Sequence, residues 1–324
     1  MKLSALKRLA IVSMLALGAT AAHARYPEHP IKLIVPYAPG GSSDIVGRQV
    51  AKFLGDALGT AVVVENVGGG GGANGVQRAA QAPADGYTLL LGANSELLIN
   101  KLLRPELPYE ATRDFTPLAS IGTGAIVIAG KTSLKASNLK EAIELSRAQG
   151  GGLNYGTSGV GTIQHLVGEM LKLRANAPLT HVAYRGAGPL AADLAAGHVE
   201  LGIATLASVL PLIQTDKIKG YAVSSARRSE FAPDIPTISE TPGLPATSIE
   251  TWYGVFAPAA LPADIARTLQ EKLTAALSHP ELAKLLAQQA ISIDSKDPGE
   301  LKRFLQQETE KYRAIIAEAR ISVE

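Results

Sequence analysis

The segment Ile31–Arg48, IKLIVPYAPGGSSDIVGR, constrains the fold of this chain more than any other. Its β-branched start at residues 31–35 predicts a buried strand. Prolines and glycines then break the strand, and apolar residues at helical spacing predict a helix capped by Ser42 or Ser43. A glycine turn that leads into a helix leaves several backbone N–H groups unpaired and pointing in one direction, which favours an anion. The segment has no nucleophile–base pair and no metal ligands, so it indicates binding rather than chemistry.

The first 24 residues have the features of an export signal. Basic residues precede an apolar run, Leu9–Ala19, that is too short to span a bilayer, and Ala22-His23-Ala24 fits a cleavage site. We therefore expect cleavage near Ala24 and a mature protein in the periplasm or outside the cell. No later stretch is apolar for long enough to cross a membrane.

Charge and cysteine content exclude several classes of function. The leader carries three of the 31 basic residues, so the rest of the chain has 28 against 29 acidic residues, a net charge of −1. Because no basic patch alternates with aromatic residues, we expect no nucleic-acid partner. The absence of cysteine excludes disulfides, thiolate chemistry and cysteine-ligated metals.

Strand-like and helix-like segments alternate along the chain, which predicts an α/β fold with mostly parallel sheets. Two similar sets of such units are followed by late segments that fit either set. This order indicates that the chain crosses between two domains more than once, as in a hinged two-lobe protein. After the first strand, the main predicted strands lie at residues 61–65, 87–91, 115–121, 125–129, 153–161, 180–184, 199–204, 218–224 and 252–257, the segment 153–161 including a glycine turn.

The glycine-rich turn Gly68–Gly72 contains the G-x-G-x-x-G spacing of dinucleotide sites, and Glu96 follows about twenty residues later. Five consecutive glycines make a chance match easy, and Glu96 lies beyond the end of its strand. An exported protein also has little access to NAD. We therefore favour a tight connection between a strand and a helix, and we expect no cofactor.

The segment Tyr155–Gly161 has two competing interpretations. As a second anion cradle, it offers backbone N–H groups and the hydroxyls of Thr157 and Ser158 at the start of a helix. As a hydrolase site, it would use Ser158 as a nucleophile. Val160 stands where a nucleophile elbow has glycine, and nothing in the sequence places a histidine beside the serine.

Other polar and aromatic residues have alternative roles. His165 and Glu169 are four residues apart on a predicted helix, but two ligands without a third favour a surface pair over a metal site. Arg185 follows a strand and can either fork onto a carboxylate or remain a solvated loop residue. Trp252 and Tyr253 are predicted to pack in the core or at a hinge.

In these motifs and their order, the chain resembles the Bug-type periplasmic solute-binding proteins, the binding component of tripartite tricarboxylate transporters. The matching segments occur in the same order along nearly the whole mature chain. They are YPEHPIKLIVPYAPGGSSDIVGR (26–48), VVVEN with its glycine loop (62–75), DGYTLLLG (85–92), LPYEATRDFTPLASIG (107–122), LNYGTSGVGTIQHLVGEML (153–171), THVAYRGAGPLAADLAAGHVELGIA (180–204), APDIPTISETPGLP (232–245) and WYGVFAPAALP (252–262).

The resemblance implies a two-lobe α/β periplasmic-binding-protein fold (type II, Venus flytrap) with two crossover strands and a carboxylate ligand in the cleft. The predicted lobes are residues 25–124 plus 250–324 and residues 125–249. In this family, the loops that match Pro36–Asp44 and Tyr155–Gly161 carry much of the ligand contact. Ala204 stands where members often have an acidic residue, which favours a plain mono- or dicarboxylate over an amino acid.

We therefore predict a monomeric binding protein without a cofactor or metal that contacts membrane transporter subunits transiently. An exported hydrolase using Ser158 and a ligand-sensing subunit of a membrane signalling system are the alternatives. The carboxylate of Asp44 would repel an anion, so Asp44 is predicted to cap the helix or hold a water. The predicted ligand contacts are Tyr37, Ala38, Gly40, Gly41, Asp44, Asn94 and Ser95 from one lobe, and Tyr155, Thr157, Ser158, Tyr184, Arg185 and Gly186 from the other.

Overall fold

The computed structural model describes residues 26–322, so the predicted leader lies outside the described residues. Within this part of the chain, strands and helices alternate as predicted. The strands are β1 (Ile31–Val35), β2 (Val62–Asn66), β3 (Thr88–Ala93), β4 (Phe115–Lys131), β5 (Leu153–Thr157), β6 (Leu179–Ala183), β7 (Leu201–Thr205), β8 (Ile218–Val223), β9 (Glu250–Pro258) and β10 (Ile291–Ile293).

Most of the helices follow a strand and pack back onto a sheet. A π-helical turn, Ser95–Ile99, leads directly into the third helix, and two short 3₁₀ turns lie at Gly70–Gly72 and Ile238–Glu240. The α-helices are α1 (Ser42–Leu58), α2 (Ala73–Ala80), α3 (Asn100–Leu103), α4 (Ala111–Asp114), α5 (Leu139–Ala148), α6 (Ile163–Arg174), α7 (Ala187–Ala196), α8 (Leu206–Gln214), α9 (Ala263–Leu277), α10 (Pro280–Gln288) and α11 (Pro298–Ala319).

The strands form two sheets that share β4. In the first sheet the order is β2-β1-β3-β9-β4, with β1 parallel to β2 and β3 and with β9 antiparallel to its neighbours. In the second sheet, β7, β5 and β6 follow β4, and β5 is parallel to both β6 and β7, whereas β4 is antiparallel to β7 and β8. The sheets are therefore mixed, and the prediction of mostly parallel sheets was wrong. Strand β4 pairs with β9 as far as Ala125 and with β7 from Ile126 onward. We call each sheet with the helices that pack on it a lobe, the first and the second.

The predicted strands at residues 115–121 and 125–129 are one continuous strand, so their separation was wrong. Strand β4 continues through Gly122 and Gly124. The missing side chains of these two glycines let β10 approach and pair with β4. A Cβ atom at Gly122 would lie 2.3 Å from the carbonyl oxygen of Ser292. The predicted division of the chain at residues 124 and 250 stays a prediction, and its first boundary falls where β4 exchanges partners.

Several elements were not predicted from the sequence, among them β10, α3 and α4 and two that follow a strand directly. The π-helical turn Ser95–Ile99 follows β3 immediately, and its residues are buried. Helix α8 lies between β7 and β8 and contains Pro211, a residue that normally interrupts helices. Both elements begin at the carboxyl end of a strand, so both bring side chains to the boundary between the lobes.

The core extends through both lobes. Trp252 is 2% exposed and Tyr253 is 4% exposed, which confirms their interpretation as packing residues. Helix α11 packs against α6, and the Arg174 guanidinium binds the Glu318 carboxylate through two hydrogen bonds at the end of that contact. Among the described residues, no helix combines the length and the hydrophobicity needed to cross a bilayer.

Candidate ligand-binding site

The carboxyl ends of the parallel strands in the two sheets face each other across the boundary between the lobes. The Ser42 hydroxyl at the start of α1 lies 3.3 Å from the Thr205 hydroxyl and 3.2 Å from the Ser208 hydroxyl in the second lobe. The Ser95 hydroxyl accepts a hydrogen bond of 3.0 Å from the backbone N–H of Ile163, at the start of α6. Ligands of α/β proteins bind where such strand ends meet. This interlobe cleft is therefore the candidate site.

The loop between β1 and α1 leaves the start of the helix uncapped. Gly41 occupies the N-cap position, and no side chain bonds to the N–H groups of the first turn. The predicted cap by Ser42 or Ser43 was therefore wrong, since the Ser42 hydroxyl turns toward the second lobe. Gly40 has φ +88°, and no atom lies within 4 Å of where its Cβ would be. Its backbone conformation, rather than close packing, thus requires glycine.

Asp44 is used within the protein to hold this loop. Its buried carboxylate accepts hydrogen bonds from the Gly40 N–H at 2.9 Å, Arg48 Nε at 3.0 Å and Asn66 Nδ2 at 2.9 Å. Burial opposes ionisation, but these hydrogen bonds outweigh it and hold the pKa of Asp44 below its usual value. Asp44 therefore fixes Gly40 in place and does not cap α1.

Tyr37 is anchored by a buried carboxyl group. Its hydroxyl donates to Glu96 Oε2 at 2.8 Å, and Asn66 Nδ2 donates to its backbone oxygen at 3.0 Å. Glu96 is 1% exposed, and burial raises its pKa to about 7 despite hydrogen bonds from Tyr37 and the Ala93 N–H. A Cβ at Gly72 would lie 2.6 Å from Glu96 Cβ, so the glycine turn closes over this carboxyl. Enclosed in this way, Glu96 cannot reach the ribose of a dinucleotide.

Asn94 and Ser95 have different environments. Asn94 is 1% exposed, and its amide donates to the Glu250 carbonyl at 2.8 Å and to the Tyr312 hydroxyl at 3.0 Å. Asn94 thereby joins β3 to β9 and α11. Ser95 reaches the second lobe through its contact with Ile163. The nearby loop residue Ala38 is exposed.

The loop that follows β5 is held by contacts within the second lobe. Tyr155 is fully buried, and its hydroxyl donates to Glu169 Oε1 at 2.5 Å on α6. The Thr157 hydroxyl lies 2.7 Å from His181 Nε2. The Ser158 hydroxyl donates to the Gln164 side chain at 3.2 Å. Of these three hydroxyls, that of Ser158 lies in the loop itself, beyond the end of β5.

The start of α6 differs from the start of α1, because its donors already have acceptors. The Thr162 hydroxyl accepts a hydrogen bond from the His165 N–H, and the Ser95 hydroxyl of the first lobe accepts one from the Ile163 N–H. The Gly161 N–H donates to the His165 ring at 3.4 Å. The second anion cradle thus stays a prediction, with several of its backbone donors engaged in this arrangement of the lobes.

The geometry around Ser158 does not fit a catalytic triad. His181 bonds to Thr157, and His165 bonds to the Gly161 N–H, so neither imidazole contacts the Ser158 hydroxyl. A nucleophilic serine needs a base within hydrogen-bond reach. Between residues 26 and 322, no group of three or more histidine, aspartate or glutamate side chains is placed to hold a metal ion.

The loop after β6 presents a cation to the solvent. Tyr184 donates from its hydroxyl to Asp193 at 3.0 Å, and the Gly186 N–H donates to the Ser158 carbonyl at 3.2 Å. Gly186 has φ +110° with open space around its missing Cβ. Arg185 is exposed and forms no ion pair or side-chain hydrogen bond with any described residue. Its guanidinium is therefore available to bind a carboxylate.

Several residues that shape the site were missed by sequence reasoning. Asn66 ends β2, next to the end of β1 in a parallel pair, so the strand order could have identified it. Thr205 ends β7 in the same way and lies opposite Ser42. The anchoring role of Glu96 was also missed, because its burial and its bond to Tyr37 leave no local signal in the sequence.

Comparison with known proteins identifies the class to which this fold and cleft belong. Residues 46–321 match the family described as the tripartite tricarboxylate transporter family receptor, and the chain belongs to this family. Protein BugT of Bordetella pertussis is 32% identical over 294 residues, which cover 90% of each chain.

Solved structures show the same architecture. The Rpa4515 protein of R. palustris with adipate has a TM-score of 0.87 at 29% identity, over 92% of this chain and 99% of that chain. MatC from Rhodopseudomonas palustris with bound malate has a TM-score of 0.83 at 26% identity, over 90% of this chain and all of the other. The predicted two-lobe periplasmic-binding-protein fold with two crossover strands is thereby confirmed.

Proposed function

We propose that this protein binds a small carboxylate-bearing solute in the interlobe cleft and delivers it unchanged to the membrane subunits of a tripartite tricarboxylate-type transporter. The observation that carries the proposal is the uncapped start of α1 beside Gly40, at the place where the two lobes meet. A helix start with free N–H groups binds anions. Two proteins of similar structure hold adipate and malate.

The proposed contacts divide the predicted residues into two groups. The backbones of Ala38 and Gly41 and the Arg185 side chain would touch the ligand, because they border the cleft and their donors bond to no described residue. Gly40 and Ser158 border the cleft as well, but the Gly40 N–H donates to Asp44, and the Ser158 hydroxyl would have to exchange Gln164 for the ligand. The others support them, since their polar side-chain atoms already have protein partners or, for Gly186, since the backbone shapes the loop. The supporting residues are Tyr37, Asp44, Asn94, Ser95, Tyr155, Thr157, Tyr184 and Gly186.

Closure of the cleft follows from a ligand that reaches both lobes. A carboxylate at the start of α1 accepts hydrogen bonds from N–H groups of the first lobe, and Arg185 supplies a positive charge from the second lobe. Such a ligand binds the closed form more tightly than the open form, so it shifts the equilibrium between them. No bond in the ligand changes, because Ser158 has no base beside it.

A plain carboxylate fits this cleft better than an amino acid. Ala204 is 2% exposed on β7, directly before Thr205, and it provides no negative charge for a ligand ammonium group. The neighbouring groups at the end of β7 are the hydroxyls of Thr205 and Ser208, which are neutral. We infer that the solute is a mono- or dicarboxylate without an amino group.

The remaining parts of the proposal concern location and partners. Cleavage near Ala24 would release the mature chain into the periplasm, where it would act as a monomer. Transient contact with the membrane transporter would then depend on the closed form, since closure brings the exposed loops of both lobes together.

Calorimetric titration of the refolded mature chain tests the proposal. The titrants are adipate, malate, glutamate and a neutral diol, and NMR of the mixture follows any conversion of the titrant. We expect saturable binding of at least one carboxylate without turnover, weaker binding of glutamate and none of the diol. Turnover of a titrant, or equal binding of the diol, would contradict the proposal.

A further inference from the structure

Two stacked imidazoles lie beneath the loop after β5. His165 on α6 and His181 on β6 have ring centroids 4.2 Å apart with planes at 24°. The Tyr155 ring stacks on the other side of His181 at 5.0 Å. His165 is 6% exposed and His181 is half-buried, so the pair is only partly accessible to the solvent. Neither imidazole has a part in the proposed ligand contacts.

His165 binds one glycine of the loop directly, and His181 reaches a second glycine, Gly159, through Thr157. The Thr162 hydroxyl also donates to the Gly159 carbonyl at 2.8 Å. His181 Nε2 lies 2.7 Å from the Thr157 hydroxyl, and that hydroxyl accepts the Gly159 N–H at 3.2 Å. His165 Nδ1 accepts the Gly161 N–H at 3.4 Å. Since a backbone N–H can only donate, His165 Nδ1 must carry no proton, which assigns the tautomer protonated at Nε2.

Fixing the two glycines in this conformation costs conformational entropy, which such contacts offset. Gly159 has φ +141° and Gly161 has φ +78°, both outside the range that other residues adopt readily. Glycine also has more conformational freedom to lose than any other residue. Between these two glycines lies Val160, which is 41% exposed, so the loop tip has little apolar packing of its own.

Both imidazoles are neutral in the folded protein at neutral pH. Burial lowers the pKa of His165, and burial together with His165 lowers the pKa of His181 to about 4. Protonation of His165 at Nδ1 would remove the acceptor of the Gly161 N–H, and a second proton would place two cations 4.2 Å apart. The titratable and charged groups facing the pair are Tyr155 on β5 and Glu169 and Lys172 on α6, and Arg104, which follows α3, lies beside Gly161.

We propose that His165 and His181 are positioning residues for ligand binding: as a neutral stacked pair they orient Gly159 and Gly161, and protonation of the pair releases the loop. The proposal rests on the proposed function, because the loop borders the candidate cleft. The pair is not a ligand contact and acts through Thr157 and the Gly161 backbone. The affinity for the ligand therefore depends on the protonation state of two histidines that the ligand does not touch.

The first arm of the test needs no ligand. NMR of the isotope-labelled mature protein, from pH 7.5 to pH 3.5, follows the imidazole nitrogens and the amides of Gly159 and Gly161. We expect His165 in the Nε2–H tautomer, and glycine amide signals that shift together with the titration of the rings. A double variant, His165→Asn with His181→Gln, keeps acceptors in place of Nδ1 and Nε2 and should abolish these shifts. Glycine amides that stay unchanged while the rings titrate would overturn the proposal.

The second arm measures binding, with malate and adipate as probes. His165→Leu and His181→Leu should each weaken binding about tenfold at pH 7, and the Asn/Gln double variant should restore most of this loss and remove the loss in acid. His29→Gln, at an exposed histidine beside Tyr87, is the matched control. Leucine variants that bind like the unsubstituted protein would overturn the proposal. If neither probe binds the unsubstituted protein, the proposed function is in doubt, and the amide titration still decides the role of the pair.

Discussion

The hydroxyl of Ser95 accepts a hydrogen bond of 3.0 Å from the backbone N–H of Ile163, and this bond joins the two lobes. Ser95 begins the π-helical turn after β3, whereas Ile163 is the first residue of α6. A side chain of the first lobe therefore occupies a helix start of the second lobe. Separation of the lobes at this point would break the contact, so we expect it to contribute to the free energy of closure.

Removal of this hydroxyl should weaken ligand binding without unfolding either lobe. A single hydrogen bond contributes about 0.5–1.5 kcal/mol, so Ser95→Ala should lower affinity about 2- to 12-fold. Small-angle scattering should also show a larger radius of gyration for the ligand-free variant. Ser146→Ala is the matched control, since Ser146 is equally buried but bonds only within α5. An unchanged radius and affinity in Ser95→Ala would show that the bond does not stabilise closure.

Arg185 should be a major source of charge recognition. Because it bonds to no described residue, Arg185→Ala should leave the melting temperature of the ligand-free protein unchanged while it lowers carboxylate affinity more than tenfold. Arg185→Lys should recover part of the affinity, since an ammonium cannot form the bidentate contact. The exposed Arg227→Ala serves as a control. A loss of affinity for the alanine variant no larger than that of the control would place Arg185 outside the site.

Asp44 offers a test that distinguishes positioning from repulsion. If it holds the loop at Gly40, Asp44→Asn should lower carboxylate affinity about tenfold, because bonds to Gly40 and Arg48 weaken. If its charge instead faces the ligand, the same variant should bind more tightly. Asp56→Asn, at an exposed pair with Lys52, controls for the change in net charge. Calorimetric titration at fixed ionic strength measures the sign directly.

Glu96 should make the protein less stable as the pH rises. In the folded chain its pKa is about 7, against an ordinary value of 4.5, so the folded state holds a proton that the unfolded state has released between these values. The free energy of unfolding therefore falls across this window by at most about 1.4 kcal/mol per pH unit. Glu96→Gln should remove that fall.

Urea unfolding at pH 5, 6, 7 and 8 measures the effect as the difference between the variant and the unsubstituted protein. The comparison is needed because His181 acts in the opposite direction: its pKa of about 4 makes its contribution decrease as the pH falls below about 6.5. Glu106→Gln, at an exposed position, is the control. Parallel pH profiles for Glu96→Gln and the unsubstituted protein would contradict the raised pKa.

Local sequence patterns predicted the elements that carry strong periodicity. Strand β1 and helix α1 have the predicted positions, because a β-branched run and the helical spacing of apolar residues are local properties. The continuous strand β4 was not foreseen, since Gly122 and Gly124 are explained by the distant β10. Helix α8 was also missed, as it is apolar on most sides and contains Pro211.

Local patterns predicted which loops border the candidate site, but not which residues their side chains contact. Glycines 40 and 186 marked positions where a turn borders the cleft, and both have the left-handed backbone that glycine permits. The roles of individual side chains depend on contacts between segments far apart in sequence. Ser42 meets Thr205, 163 residues away, instead of capping its own helix. No pattern around Ser42 could reveal that contact.

The central claim is that backbone donors at the start of α1 bind the ligand carboxylate, and Ser42 allows a direct measurement. Gly41 has φ −82° and ψ 169°, which suits a residue before proline, so Ser42→Pro should keep the helix while it removes one N–H donor. Ser42→Ala removes the hydroxyl and keeps that donor. Titration of both variants with the carboxylate that binds best should show affinity about 10- to 100-fold lower for Ser42→Pro than for Ser42→Ala. Equal affinities in two folded variants would contradict the claim that this helix start binds the ligand.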